Sequence, residues 1–437
     1  MRITGLGLAA LAVVSIVGCQ GAASSPSTSA PPTATSSAEA PSPSTAAEPI
    51  RIGALFPVSG DMAAFGNDGV AAAQLAAELF NEQGGVDGRM VEIVPADVTT
   101  PEQAASEAQR LITQEGINVL IGTSASSLGL PASAAADRQG ALYWDVIDQS
   151  PQISGRGLAG VFQFAPHADV QGKAAVTFTA DKLAPALGKQ PQDLKIGIIF
   201  ANDAYSASVA DGAIAQAKEL GLNVVATESY DPAITDLSSV ILKLKSAGVE
   251  VLVGSQLPAD AILLNTQSRQ LDFNPVLVSA FGYDNPEAVT ALGDCINGIF
   301  LSSNPQFSAI DPTKLEPDGR ALAEAYGPGW KEKTGRETSV DSDTIFNATW
   351  VLLNNLIKAT GSEDPKVLAE AARKLDLPVG SLGNAWGVRF DESQYNTRTV
   401  QSINEYQEQK QVLIYPETLV FGEMTLVPRP AWSDICS

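Results

Sequence analysis

The sequence predicts an α/β protein made of two doubly wound lobes, each a parallel sheet with helices on both faces. From residue 50 onward, short apolar strands alternate with segments of helical spacing. A second series of the same kind starts near residue 170. At 437 residues the chain is also too long for one ordinary core, which calls for two globular lobes.

The first series opens with a strand at 50–56 (IRIGALF). A helix follows over 69–82, with Val70, Ala73, Ala77 and Phe80 on one stripe, and Gly84-Gly85 ends it. Next come a strand at 90–94, a helix at 101–115 and a strand at 119–121 that runs into Gly122. A turn of small hydroxyl residues, 123–127, leads to Pro131, an alanine-rich helix over 132–139 and a strand at 142–146. The second series places helices at 174–183, 206–220, 237–247 and 259–270. Its strands fall at 195–200, 224–227, 251–254 and 276–279. Beyond it lie a strand at 299–303 and helices at 318–334, 339–360 and 365–375. The tail alternates like strands at 400–406 and 411–415, around a polar turn at 407–410.

The turn after the 119–121 strand is chemically the most informative stretch. A strand, a tight polar turn and a helix N-terminus present unpaired backbone N–H groups and a partial positive charge, which suits a carboxylate. The hydroxyls of Ser124, Ser126 and Ser127 add donors. The same arrangement also suits simple capping of the helix by Ser126 or Ser127.

Composition narrows the function classes. With 27 Lys and Arg against 49 Asp and Glu, the formal charge is −22, which disfavours nucleic acid as a partner. There is no phosphate-binding glycine loop of the Walker or dinucleotide type. With a single histidine and no clustered ligands, no metal site and no cofactor are expected.

The N-terminus reads as a leader. Arg2 precedes an apolar run over 6–17, too short to stay as a membrane span, and the run ends in IVGC at Cys19. This ending resembles the bacterial lipobox, which implies a signal peptide at 1–18 and a lipid on Cys19; an ordinary secretory signal with an incidental cysteine is the alternative. Residues 20–48 are nearly all Ser, Ala, Pro and Thr, so 19–48 is expected to be a disordered tether. In an oxidising compartment the remaining cysteines, Cys295 and Cys436, suit a disulfide that pins the tail, with two buried free thiols as the alternative.

Several blocks together resemble the substrate-binding proteins of branched-chain amino acid ABC transporters. They are IRIGALFPVSG at 50–60, ELFNEQGGVDGRMVEIVPAD at 78–97 followed by Pro101, the serine turn at 123–127, and NDAYSAS at 202–208. The resemblance covers 50–415 and implies a Venus flytrap of the periplasmic-binding-protein type I kind, two lobes joined by three crossover strands. By resemblance the crossings fall near 164–166, 298–301 and 387–390. The first lobe would then comprise 49–164 plus 300–386, and the second 165–299 plus 387–437. Ligands of open α/β sheets bind at the carboxyl ends of the strands, so the cleft between two such edges is the expected site.

The resemblance carries specific residues. Ser126, with Ser127 beside it, falls on the serine that holds a ligand carboxylate. Phe65 falls on an aromatic that closes the pocket, or packs on its own lobe as a surface residue. Tyr205 matches the tyrosine of a D-x-Y-G motif, with Ser206 in place of the glycine. In the fourth strand, Asp145 stands at a family serine, Ile147 near a backbone contact and Gln149 at a family threonine. Asp145 and Asp148 suit either a cationic group or a solvated loop. In the second lobe, Phe281 or Gly282 occupies the place of the glutamate that pairs with an α-ammonium, and Asp284 is a possible substitute. Gln256 lies in the adjacent contact loop, and Tyr283 joins Phe65, Tyr205 and Phe281 as aromatic lining.

What the resemblance implies is a lipid-anchored, extracytoplasmic, monomeric solute-binding protein. It would capture a small carboxylate-bearing or amide ligand and deliver it to ABC permease subunits, touching the membrane only through its lipid. The same fold would also serve a sensory module that presents its closed form to a receptor. A secreted serine hydrolase is the remote alternative. It would need His167, the only histidine, as its base, and no nucleophile-elbow motif is present.

Overall fold

The computed structural model describes residues 48–419 and 422–436; Cys19, the leader and all of the tether but its last residue lie outside them. The first sheet is parallel, with strand order β2-β1-β3-β4-β5. Its strands are β1 (Ile50–Phe56), β2 (Val91–Asp97), β3 (Val119–Gly122), β4 (Leu142–Asp145) and β5 (Val161–Gln163). Helices α1 (Ala63–Glu82), α2 (Pro101–Glu115) and α3 (Ser126–Arg138) connect the first four. Local chemistry sets their ends. Thr100 caps α2 by accepting the Gln103 N–H at 3.3 Å, Pro101 takes the first helical position, and Gly116 stops the helix at φ 70°. One face of the sheet packs on α2 and α3 through Leu55, Leu111, Leu120 and Tyr143. The other packs on α1 through Phe56, Ile121 and Trp144.

The second sheet has seven strands in the order β12-β11-β10-β9-β8-β6-β7. These are β6 (Ile196–Ala201), β7 (Val224–Tyr230), β8 (Val251–Ser255), β9 (Val276–Ser279), β10 (Phe300–Ser303), β11 (Ser402–Gln407) and β12 (Lys410–Tyr415). Helix α4 (Ala168–Phe178) runs through a π-helical turn at Thr179–Leu183 into the short α5 (Ala184–Ala186). Helices α6 (Ala204–Glu219), α7 (Ser238–Ser246), α8 (Pro258–Gln270) and α9 (Pro286–Leu292) complete this lobe. Helices α4 and α6 meet backbone to backbone. A Cβ on Gly172 would lie 1.9 Å from the Val209 carbonyl oxygen, and one on Gly212 would lie 2.0 Å from that of Asp169.

Two sequence expectations need correction. The sheet is not wholly parallel, because β11 pairs antiparallel with β10, and β12 with β11. Strand β10 does not begin the first lobe's return either. Phe300 and Leu301 pair parallel with Val278 and Ser279 of β9, so the chain leaves the second sheet after Ser303. The return segment supplies α10 (Pro317–Thr334), α11 (Val340–Trp350), a π-helical continuation over Val351–Lys358, and α12 (Pro365–Ala372). Trp386, Val388 and Phe390 still belong to the first core, so the last crossing follows residue 390. Trp144 ties this return to the sheet. Its indole N–H donates to the Ala348 carbonyl at 2.9 Å, and its ring lies 5.3 Å from that of Phe390.

The three connections run side by side. Tyr395 bridges to Gln163, the Asn396 side chain donates to the Phe164 carbonyl at 3.3 Å, and the Gln401 amide donates to Asn304 Oδ1 at 3.1 Å. His167, at the first connection, stacks on Tyr395 with ring centroids 3.8 Å apart. Cys295 and Cys436 are joined by a disulfide between Cα atoms 4.6 Å apart; it holds the terminal helix α13 (Trp432–Ile435) on the second lobe. No helix among the described residues is long and apolar enough to cross a membrane.

Candidate functional site

The carboxyl edges of the two sheets gather the polar residues that the sequence singles out. In the first sheet β1 has β2 on one side and β3 on the other, so successive loops diverge and leave a crevice at the strand ends. The serine turn opens there. Ala125, with no side-chain bond, sits at the cap position of α3, so neither Ser126 nor Ser127 acts as the cap. The Leu128 N–H donates to the Ala125 carbonyl at 2.9 Å, so of the first turn of α3 the N–H groups of Ser126 and Ser127 are left for solvent or a ligand. Ser126 is half-buried and its Oγ accepts the Ser150 N–H at 3.1 Å, while Ser127 is exposed. Ser124 Oγ is buried and has no partner among the described residues.

Beneath the turn lies an acidic brace. Asp148 accepts from both the N–H (3.2 Å) and the hydroxyl (2.9 Å) of Thr123 through one oxygen. Asp145 Oδ1 accepts the N–H groups of Ile147 (3.2 Å) and Asp148 (2.9 Å). Burial raises both carboxyls, Asp148 to about 6 and Asp145 well above the usual range, with the Asp148 charge adding to the rise at Asp145. Asp145 has no exposed surface, so it closes the 145–148 turn instead of lining the cleft. Ile147, 8% exposed, packs with Trp144 in the core.

Four neighbouring strands of the second sheet, β7, β6, β8 and β9, end at the facing edge. Asp203 caps α6 by accepting the N–H groups of Tyr205 and Ser206, both at 2.9 Å. That fixes Tyr205 in the first turn, where its ring meets Phe281 edge-on with centroids 5.8 Å apart. The Tyr205 hydroxyl donates to Gln171 of α4, and the Gln171 amide donates to Gln149 of the first lobe at 3.3 Å. Tyr205, Gln171 and Gln149 thus form one polar chain across the hinge, and Gln171 had no sequence signal.

Two further residues expected to line the cleft are framework. Gln256 is fully buried, donating to the Ile199 carbonyl (3.2 Å) and accepting from Ser279 (2.9 Å). Tyr283 is fully buried and donates to the Ala261 carbonyl at 3.0 Å. Phe65, in the first turn of α1, is 46% exposed, a free aromatic on the first lobe.

Asp284 lies in the loop after β9 and Asp341 in the first turn of α11, on opposite lobes, and the Asp284 charge adds to the rise at Asp341. Burial pushes each up to about 6. Asp68 of α1 also acts on Asp341, and is itself paired with Arg336, whose Nη1 lies 3.0 Å from its Oδ2. Asp341 went unnoticed in the sequence because it arrives on the return segment, far from every motif.

The model for the family described as periplasmic binding protein matches residues 49–403. The chain belongs to the periplasmic binding protein family. Among its relatives in this family is a Leu/Ile/Val-binding protein homolog of Brucella suis, 31% identical over 381 residues that span 86% of this chain and 94% of the relative. The leucine-binding protein of Thermotoga maritima has the same fold at 22% identity, with a TM-score of 0.69 over 84% of this chain and 97% of its own. So does a branched-chain amino acid transporter substrate-binding protein of Streptococcus pneumoniae, solved with isoleucine. It is 20% identical, with a TM-score of 0.68, and the match covers 84% of this chain and all of the other.

Proposed function

We propose that the chain is a lipid-anchored extracytoplasmic solute-binding protein that closes its two lobes on a small, amino-acid-like, carboxylate-bearing ligand and hands it to an ABC permease. The observation that carries this reading is the serine turn. A 13-residue helix meets the carboxyl edge of the first sheet with the N–H groups of Ser126 and Ser127 uncapped and the Ser126 hydroxyl beside them. The Tyr205–Phe281 edge of the second lobe offers the opposing wall. The hinge-spanning chain from Gln149 through Gln171 to Tyr205 lets closure and ligand contact depend on the same residues. In this reading Phe65 closes the mouth, Cys19 carries the lipid, and the residues up to 48 are a leash to the membrane.

Calorimetry of the soluble body against amino acids, aliphatic and aromatic carboxylates, and amides tests the reading. We expect at least one to bind, and Ser126→Ala to weaken it by about tenfold or more, or ~1.4 kcal/mol, with thermal stability unchanged. Equal affinity for the variant removes the carboxylate anchor. Uptake of the ligand that stops in cells lacking the chain, and returns with it but not with Cys19→Ala, would establish delivery and anchoring.

A further inference from the structure

We infer that the first lobe carries a second ligand site, away from the cleft, which takes a small amphipathic amine: an aromatic or branched alkyl body bearing one ammonium group. The site is a cavity of about 490 Å³ walled by α1, α10, the π-helical continuation of α11 and the 377–382 loop. That volume lies within the roughly 300–1,000 Å³ of small-molecule pockets. Helix α1 leaves the carboxyl edge of the first sheet and runs 20 residues, about 30 Å, to Glu82 on the cavity wall. A ligand here touches one lobe only, so the site stands apart from whatever the cleft binds.

The floor of the cavity is apolar. Leu79, Leu322 and Leu382 line it together with Trp350, which is 9% exposed and meets Phe80 edge-on with centroids 6.4 Å apart. An indole attracts both an apolar body and a cation. The collar is polar and unpaired. Glu82, Gln83, Asp318, Asn354, Asn355 and Ser381 line the cavity, and none of these six side chains makes a hydrogen bond or ion pair among the described residues. Two of them owe their place to an unusual helix. Beyond Trp350 the chain continues as a π-helix over Val351–Lys358. In an α-helix, at about 100° per residue, Asn354 would stay near Trp350 but Asn355 would turn about 140° away. Bonding from i to i+5 brings residue i+5 back over residue i, so both amides join Trp350 on the cavity wall. π-Helical turns are rare and are frequent at functional sites. The two ionisable groups of the collar are both acids, and no Lys or Arg lines the cavity. An anion is repelled there, whereas an ammonium donates to carboxylate and amide oxygens while its apolar body covers the floor.

The test is calorimetry of the full mature chain with matched pairs that differ only in the end group: tryptamine with tryptophol, 2-phenylethylamine with 2-phenylethanol, and 3-methylbutylamine with 3-methylbutanol. We expect at least one amine to bind about tenfold tighter or more than its alcohol. Asp318→Asn, which removes a collar charge, and Ala325→Arg, which places a cation on the exposed α10 wall, should each weaken that amine by about tenfold or more with thermal midpoints close to that of the parent chain. Ser126→Ala should leave its affinity unchanged. An alcohol that binds as tightly as its amine overturns the inference, and so does retained amine affinity in either α10 variant. Loss of the amine in Ser126→Ala also overturns it, by placing the amine in the cleft. If no amine binds the parent chain, the inference falls, and the cleft reading, tested with its own ligands, is untouched.

Discussion

At the scale of single residues, the protein buries carboxyl groups that would be more stable neutral. Asp343, with no exposed surface, accepts the Phe307 N–H at 2.8 Å through one oxygen and leaves the other unpaired. Burial pushes it up to about 8, against its usual value near 3.9. A carboxyl raised on folding lends stability that is complete below its unfolded pKa and is lost as pH climbs through its folded one. Asp148, Asp284 and Asp341 act in the same sense, up to about 6. His167, lowered by burial, opposes them around its own titration, so the useful comparison is with a variant. We expect Asp343→Asn, which keeps an acceptor for Phe307, to flatten the fall of the thermal midpoint between pH 5 and 9, with the largest gap above pH 8. Scanning calorimetry at fixed ionic strength measures this, and parallel curves for the two proteins would contradict it. Such residues show what the sequence conceals. The dipeptide pattern around Asp145 reads equally as a cleft acid or a loop acid, and only the closure of the 145–148 turn decides between them.

At the scale of elements, strand and helix periodicity located nearly every piece of the two lobes, because apolar spacing and glycine stops are local properties. Sheet partnership is not local, and this is where β10 and the antiparallel β11 and β12 departed from expectation. The tight seam between α4 and α6 was equally hidden, since Gly172 and Gly212 look like ordinary helix-weakening glycines in the sequence. The structure gives them a purpose: each lets a backbone carbonyl of the other helix come within the space of a methyl group. Gly172→Ala should therefore cost about 1–3 kcal/mol or more through overpacking. It should also weaken ligand binding, because Gln171 is its neighbour in the hinge chain. Gly327→Ala in α10, where a methyl group meets open space, should be neutral or gain up to about 1 kcal/mol. Urea unfolding of both variants separates crowding from a general helix effect; similar midpoints for the two would refute the seam.

At the scale of the whole molecule, the disulfide closes a loop of 141 residues that holds the first lobe's return segment and strands β10, β11 and β12 of the second. On the chain-entropy model such a link lowers the free energy of folding by up to about 5 kcal/mol. Cys436→Ser, or reduction of the parent chain, should shift denaturant unfolding by a substantial part of that figure. Cys295 and Cys436 of the parent chain should take up no thiol reagent until the chain is reduced and unfolded. An unchanged midpoint on reduction, or prompt labelling of either cysteine, would show that the staple contributes nothing.

That staple also settles which half of the molecule each chain end rides on. The described chain enters at Glu48, whose carbonyl is held by Arg89 at 2.9 Å beside the first sheet, and leaves at Cys436, tied to Cys295 on the second lobe. The two ends of the described chain therefore lie on different lobes. A fluorophore next to residue 48 and another at Ser433 would sit on opposite jaws, outside the ligand space, and their separation would gauge opening and shutting without a probe in the cleft.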